Sequence, residues 1–161
     1  VNDLMVNGMV GMIIQGDWTP GVLWSKKFQD FGWAPAPGND GVYQMLSDSF
    51  GLPKKVKNRE AAIIWLRVCG SKEGQDAFNP AKGSIPARTD ADISKYGEYH
   101  KWAMEHWKKD KLVPSIVHGA AAKLSFMTDF MNAINVFATK KDVAATQAAL
   151  VKAAKDAGFQ K

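Results

Sequence analysis

Residues Asn58-Arg59-Glu60-Ala61-Ala62-Ile63-Ile64-Trp65-Leu66-Arg67-Val68-Cys69-Gly70 carry the clearest periodicity in the chain. Ala61, Ile64, Trp65, Val68 and Cys69 fall at i, i+3, i+4, i+7 and i+8, which marks one face of an α-helix and not the alternation of a strand. Asn58 offers a side-chain acceptor to the first free N–H groups, Glu60 sits in the positive first turn, and Gly70 stops the helix.

Upstream of this helix the pattern is different. Residues 1–12, with Gly8 and Gly11, read as the tail of a helix, and Met12-Ile13-Ile14 predicts a short buried strand closed by Gly16-Asp17-Trp18. Thr19-Pro20-Gly21 opens a turn or short helix, because proline is tolerated at a helix start. Residues 31–41 hold too much proline and glycine for a helix and predict one short strand and a loop. Residues 42–52 predict two strands joined at Ser47-Asp48-Ser49.

Downstream the helical period dominates. Ser71 caps a shorter helix through Phe78, followed by a loop at Asn79-Pro80-Ala81-Lys82-Gly83. Another helix is expected from about Asp90 to Lys109, with Ile93, Tyr96, Tyr99, Ala103 and Trp107 on its buried side. Pro114 ends the next connection, Met127, Phe130, Met131, Ile134 and Phe137 mark a long helix, and Val143, Leu150, Ala154 and Ala157 mark a last one closed by Gly158. The fold class is therefore α/β, with a strand-bearing first third and a mainly helical remainder. So few strands cannot complete a sheet unaided, and the Ile64/Trp65/Val68 face needs cover from an absent N-terminal portion or from another chain.

Length and composition bound the function. A chain of 161 residues with 46% hydrophobic and 23% charged residues can bury one real core and is neither disordered nor low in complexity. Its longest apolar runs fall far short of the roughly 20 residues that span a bilayer. The single cysteine, Cys69, cannot form an intrachain disulfide. The net charge of +5 raises nucleic acid as a partner, but the lysines come as scattered doublets at helix ends and loops, which suits solubility and helix dipoles better than a phosphate-tracking stripe. No nucleic-acid partner is expected, and steep salt dependence of binding would be the contrary sign.

Catalytic and metal signatures are weak. His100, His106 and His118 show no metal-ligand spacing, and no GxSxG, P-loop or GxGxxG motif occurs, so neither metal nor cofactor is expected. Asp17 and Asp48 could serve as paired carboxylates of a glycosidase, which leaves a carbohydrate-active hydrolase or its binding module as the alternative reading. Polar residues in loops after apolar elements point elsewhere. Trp18 offers an indole for stacking under a pyranose, and Asp17, Asp48, Lys82 and His118 together supply the acceptors and donors that sugar hydroxyls require. Each also has a plain structural reading, as a cap, a core aromatic or a solvated lysine.

The ordered set Gly8-Met9-Val10-Gly11-Met12-Ile13-Ile14-Gln15-Gly16-Asp17-Trp18, then Ser47-Asp48-Ser49-Phe50-Gly51-Leu52-Pro53, then Gly70-Ser71-Lys72-Glu73-Gly74-Gln75, then Lys82-Gly83-Ser84-Ile85-Pro86-Ala87-Arg88 resembles the C-terminal portion of periplasmic or extracellular solute-binding proteins of bacterial ABC sugar importers, most of all their glucose/mannose-binding branch. The resemblance implies a noncatalytic receptor of two lobes that captures a hexose, glucose first, and delivers it to a membrane permease. It implies residues 1–47 and 89–161 in the C-terminal lobe, residues 48–88 returning to the N-terminal lobe, and the rest of the receptor outside this chain. It also implies that Trp18 lines the cleft and that Asp48, Lys82 and His118, with Asp17 as a further candidate, bind the sugar.

Overall fold

A computed structural model describes residues 1–159, which form two compact units. The first unit comprises residues 1–43 and 48–111, and the second comprises residues 44–47 and, of the described residues, 112–159. The fold is mixed α/β, mostly helical, with a short parallel sheet. Strands β1 (Val42–Met45) and β2 (Lys111–Pro114) pair in parallel, since Lys111 N–H donates to Gly41 O at 2.9 Å and Ser115 N–H donates to Met45 O at 3.0 Å, a constant offset along both strands.

In the first unit, α1 (Asn2–Val6) and α2 (Thr19–Ser25) are followed, beyond β1, by α3 (Arg59–Gly70), α4 (Lys72–Lys82) and α5 (Glu98–Lys109). The α3 helix forms where its periodicity placed it. Asn58 Oδ1 accepts the Ala61 N–H at 3.1 Å, and the chain turns straight into α4 through Ser71, whose Oγ accepts the Gly74 N–H at 3.0 Å. Removing such a cap costs about 1 kcal/mol. Asn58→Ala is thus expected to lower the unfolding free energy by about that amount, read from the urea midpoint, while Asn58→Asp changes it little.

Five expectations are corrected. The Met12-Ile13-Ile14 segment is not a buried strand: it has no ladder partner, and Met12 and Ile14 are 90% and 83% exposed. Residues 31–41 form no strand, and residues 42–52 hold one strand, not two. The expected loop at Asn79–Gly83 is instead the last turn of α4. Pro80 forfeits only its own hydrogen bond, and the helix runs on until Gly83 adopts φ 98° and donates its N–H to Asn79 O at 2.9 Å. Conversely α5 starts later than expected. Asp92 caps a 3₁₀ turn at Ile93–Lys95, and extended Gly97 separates that turn from Glu98.

Leu23, Tyr96 and Ala103 are the buried apolar centre of the first unit. His100 is buried among them, with its ring against Trp24, Tyr96 and Tyr99. The α3 face is different: Ile64, Trp65 and Val68 are all exposed, with Phe50 edge-on to Trp65 at 4.8 Å.

Burial lowers the His100 pKa from its ordinary 6.5. The folded protein therefore binds this proton less readily than the unfolded chain, and stability falls as pH drops below about 6.5. The hydrogen-bonded carboxylates Asp76, Asp90 and Asp92 have pKa values held below 3.8, so their contribution is lost only at more acidic pH. Denaturant midpoints measured between pH 7.5 and 5 should decline in the wild type and decline less in His100→Phe. Equal slopes would contradict the assignment.

The second unit is a helical hairpin, α6 (Leu124–Lys140) and α7 (Val143–Asp156). Its reversal is compact because Lys141 takes a left-handed φ of 56° and Asp142 Oδ1 accepts the Ala145 N–H at 2.9 Å. Phe126, Ala133 and Ala153 are buried, and Phe126 packs on Phe159 at 5.0 Å.

Candidate functional site

The site begins with two stretches of backbone that touch. Gly21, in the first turn of α2, lies against the end of α4 so closely that a Cβ there would stand 2.2 Å from the Lys82 carbonyl oxygen and 2.8 Å from that of Ala81. On the other side, a Cβ on Gly83 would stand 2.7 Å from the Gly21 nitrogen and 3.0 Å from the Asp17 carbonyl oxygen. Neither position has room for a side chain. The approach joins the Asp17-Trp18 turn to the Lys82-Gly83 turn, although 65 residues separate Asp17 from Lys82 by their numbers.

Lys82 Nζ then reaches Asp48 Oδ2 at 2.8 Å. Asp48 is well exposed and Lys82 partly so. An exposed pair of this kind contributes only about 0–1 kcal/mol to stability. Chemically, however, it presents a carboxylate acceptor beside an ammonium group with further N–H donors, the complement of a vicinal diol.

Asp17 is half-buried beside this pair. Burial raises its carboxyl pKa, and the neighbouring Asp48 charge acts the same way, while the Ile85 N–H and the Lys82 ammonium oppose them. The Ile85 N–H donates to Asp17 Oδ2 at 3.4 Å. Two tyrosines complete the surroundings. Burial pushes the Tyr43 phenol up to about 12 and the Tyr99 phenol still higher, and the Asp17 charge adds to both shifts. Tyr43 meets Trp107 edge-on at 5.5 Å, and Tyr99 meets Trp33 edge-on at 5.4 Å. Sequence reasoning placed Tyr99 on the buried side of its helix and singled out neither tyrosine for the site. Nothing in their spacing distinguishes a phenol that faces a carboxylate from one that faces a core.

The structure thus brings Asp17, Asp48 and Lys82 together in the first unit. Trp18, adjacent to Asp17, is half-buried and its ring folds over the Gly16 backbone. His118 belongs to the second unit, where its Nδ1 lies 2.7 Å from Oγ of the buried Ser115 and its ring is exposed.

The other histidines are packing groups of α5. His106 Nδ1 lies 2.6 Å from Asp110 Oδ2 under the Trp102 ring. Among the described residues, no three of His, Cys, Asp and Glu gather in a group that could hold a metal, and no helix is long and apolar enough to cross a membrane. Two cavities, of about 490 and 430 Å³, lie in the second unit and are lined by none of the five candidates.

No family model matches the chain. Curated relatives do. An uncharacterized ABC transporter extracellular-binding protein of Pyrococcus horikoshii is 37% identical over 157 residues, covering 94% of this chain and 35% of the relative. A xylose/arabinose-binding protein of Haloferax volcanii is 33% identical over 148 residues, covering 84% of this chain and 32% of the relative. A probable sugar-binding periplasmic protein of Mesorhizobium japonicum is 31% identical over 166 residues, covering 96% of this chain and 39% of the relative. The chain spans 32–39% of the length of these relatives. Its homologues are thus named as an ABC transporter extracellular-binding protein and as sugar-binding proteins, and none of these three is named as an enzyme.

Proposed function

We propose that this chain is the C-terminal portion of a periplasmic or extracellular receptor that captures a hexose, glucose first, and hands it to the permease of an ABC importer. The observation that carries the reading is the convergence of Asp17, Asp48 and Lys82, far apart in the sequence, on one polar patch that contributes little to stability. The names of the relatives supply the class of ligand. Trp18 lines the cleft, Asp48 accepts from sugar hydroxyls, Lys82 donates to them, and His118 adds a further polar contact. In this reading residues 1–47 and 89–161 belong to the C-terminal lobe and residues 48–88 return to the N-terminal lobe. The rest of the receptor, or another chain, covers the exposed Ile64/Trp65/Val68 face.

The mechanism is differential affinity. A sugar that touches both lobes favours the closed form by the ratio of its affinities for closed and open states, and the permease reads the closed surface. The protein needs no acid or base for this. A second ligand class, aldopentoses, is favoured by the name of the Haloferax relative.

The test is tryptophan fluorescence of the full-length receptor titrated with D-glucose, D-mannose, D-xylose and L-arabinose. A saturable change with one of them is expected. No response to any sugar would overturn the ligand assignment, and release of reducing sugar from an oligosaccharide would favour the hydrolase alternative.

A further inference from the structure

We propose that Asp17 is a positioning residue of this site: its ionised carboxylate holds the Lys82–Ile85 turn and so fixes where the Lys82 ammonium stands. The inference rests on the sugar-binding reading above and assigns Asp17 a role distinct from direct sugar contact.

Three observations carry it. First, Asp17 does not cap the helix that follows it. The N-cap of α2 is Trp18, and no side chain accepts a hydrogen bond there. Second, Asp17 does not compete for Lys82, whose ammonium pairs with Asp48 at 2.8 Å. Its carboxylate oxygen Oδ2 instead accepts the Ile85 N–H, three residues past Lys82. Third, the main chain of the same turn is seated against the Asp17–Gly21 backbone, with a Cβ on Gly83 only 3.0 Å from the Asp17 carbonyl oxygen. Backbone seating at Gly83 and a carboxylate–amide hydrogen bond at Ile85 therefore both act on the turn that follows Lys82.

The ionised state matters because a carboxylate accepts an amide hydrogen bond about twice as strongly as a neutral group does. Every element near Asp17 contributes to its balance. Lys82 from α4 and the Ile85 amide favour ionisation; Asp48 opposes it, as does burial. Tyr43 from β1 and Tyr99 from α5 are neutral phenols whose pKa values the Asp17 charge raises further. Protonation of Asp17, which burial makes easier than for a free carboxyl, weakens the bond to Ile85 and loosens the turn that carries Lys82.

The experiment uses the full-length receptor and D-glucose, or whichever of the four sugars above the wild type binds. At pH 7.5, Asp17→Ala is expected to weaken binding about tenfold, the size of one lost charge-assisted hydrogen bond. Wild-type affinity is expected to fall several-fold from pH 7.5 to the acidic pH at which Asp17 protonates. Asp17→Asn, which keeps an acceptor and cannot ionise, should bind at an intermediate level that is the same at both pH values. An Asp17→Asn profile as steep as the wild type would overturn the proposal.

Amide hydrogen exchange supplies a readout that needs no sugar and no variant. The wild-type protection factor at Ile85 should drop on acidification by more than that of the α5 core residue Ala103, which follows global stability alone. Unchanged protection at Ile85 would also overturn the proposal. If the wild type binds no sugar, the receptor reading fails, and the exchange measurement still decides whether Asp17 holds the turn.

Discussion

Gly21→Ala is expected to destabilise the first unit by about 3 kcal/mol, because a single methyl group there cannot be accommodated without moving backbone. The added Cβ would meet the Lys82 and Ala81 carbonyl oxygens at 2.2 and 2.8 Å, well inside contact distance. A flexible side chain could swing away from such a contact, but a peptide carbonyl at the end of a capped helix cannot. Either α4 moves off α2 or the last turn of α4 unwinds, and both displace Lys82 from Asp48.

The control is Gly32→Ala, where a Cβ would meet nothing within 4 Å. That substitution should be neutral or stabilise slightly, by up to about 1 kcal/mol, through the unfolded state alone. Urea denaturation followed by fluorescence separates the two. A Gly21→Ala midpoint within error of the wild type would mean that the two turns are not in backbone contact, and the geometric basis of the site would be lost.

The second large effect concerns binding. Lys82→Met and Asp48→Ala are each expected to weaken the affinity of the full-length receptor for its sugar by about 30- to 100-fold, since each removes a charged hydrogen-bonding partner worth about 2–3 kcal/mol. The same substitutions should leave the denaturation midpoint almost unchanged, because the pair is exposed and contributes little to the fold. This split between affinity and stability is the informative result. A structural ion pair would show the reverse: lost stability with intact binding. Methionine keeps the aliphatic length of lysine, so lost packing along the stem does not confuse the comparison.

How far the sequence foretold this arrangement varies from element to element. The α3 helix was legible because cap, first-turn acid and apolar period agree at Asn58, Glu60 and Ile64/Trp65/Val68. The α6 and α7 helices were legible from their apolar residues, although neither has an acid in its first turn and only α7 has a side-chain cap, at Asp142. Where local signals disagree with context, reading failed. Met12-Ile13-Ile14 is strand-like in composition, but a strand needs a partner, and none pairs with it among the described residues. Pro80 looked like a helix breaker, yet it sits where one missing N–H costs a single bond and Gly83 supplies the stop. The second strand, Lys111–Pro114, was invisible because four residues carry no resolvable period.

The candidate site was legible as residue types and not as geometry. Trp18, Asp48 and Lys82 stand out because polar and indole groups follow apolar elements in an order that resembles sugar receptors. That Lys82 pairs with Asp48 and that Asp17 accepts the Ile85 N–H depends on which turns the fold brings together, and the Gly21–Gly83 backbone approach joins the Asp17 turn to the Lys82 turn. No pattern in the chain encodes that approach beyond two glycines among 14.

The most direct test is a double-mutant cycle on sugar binding, run by titration calorimetry with D-glucose and D-xylose on the full-length receptor and its Asp48→Ala, Lys82→Met and combined variants. If both side chains hold one ligand, the combined loss should be smaller than the sum of the single losses, with a coupling energy above about 0.5 kcal/mol. Variants that bind as tightly as the wild type would show that the Asp48–Lys82 pair is a surface ion pair and nothing more.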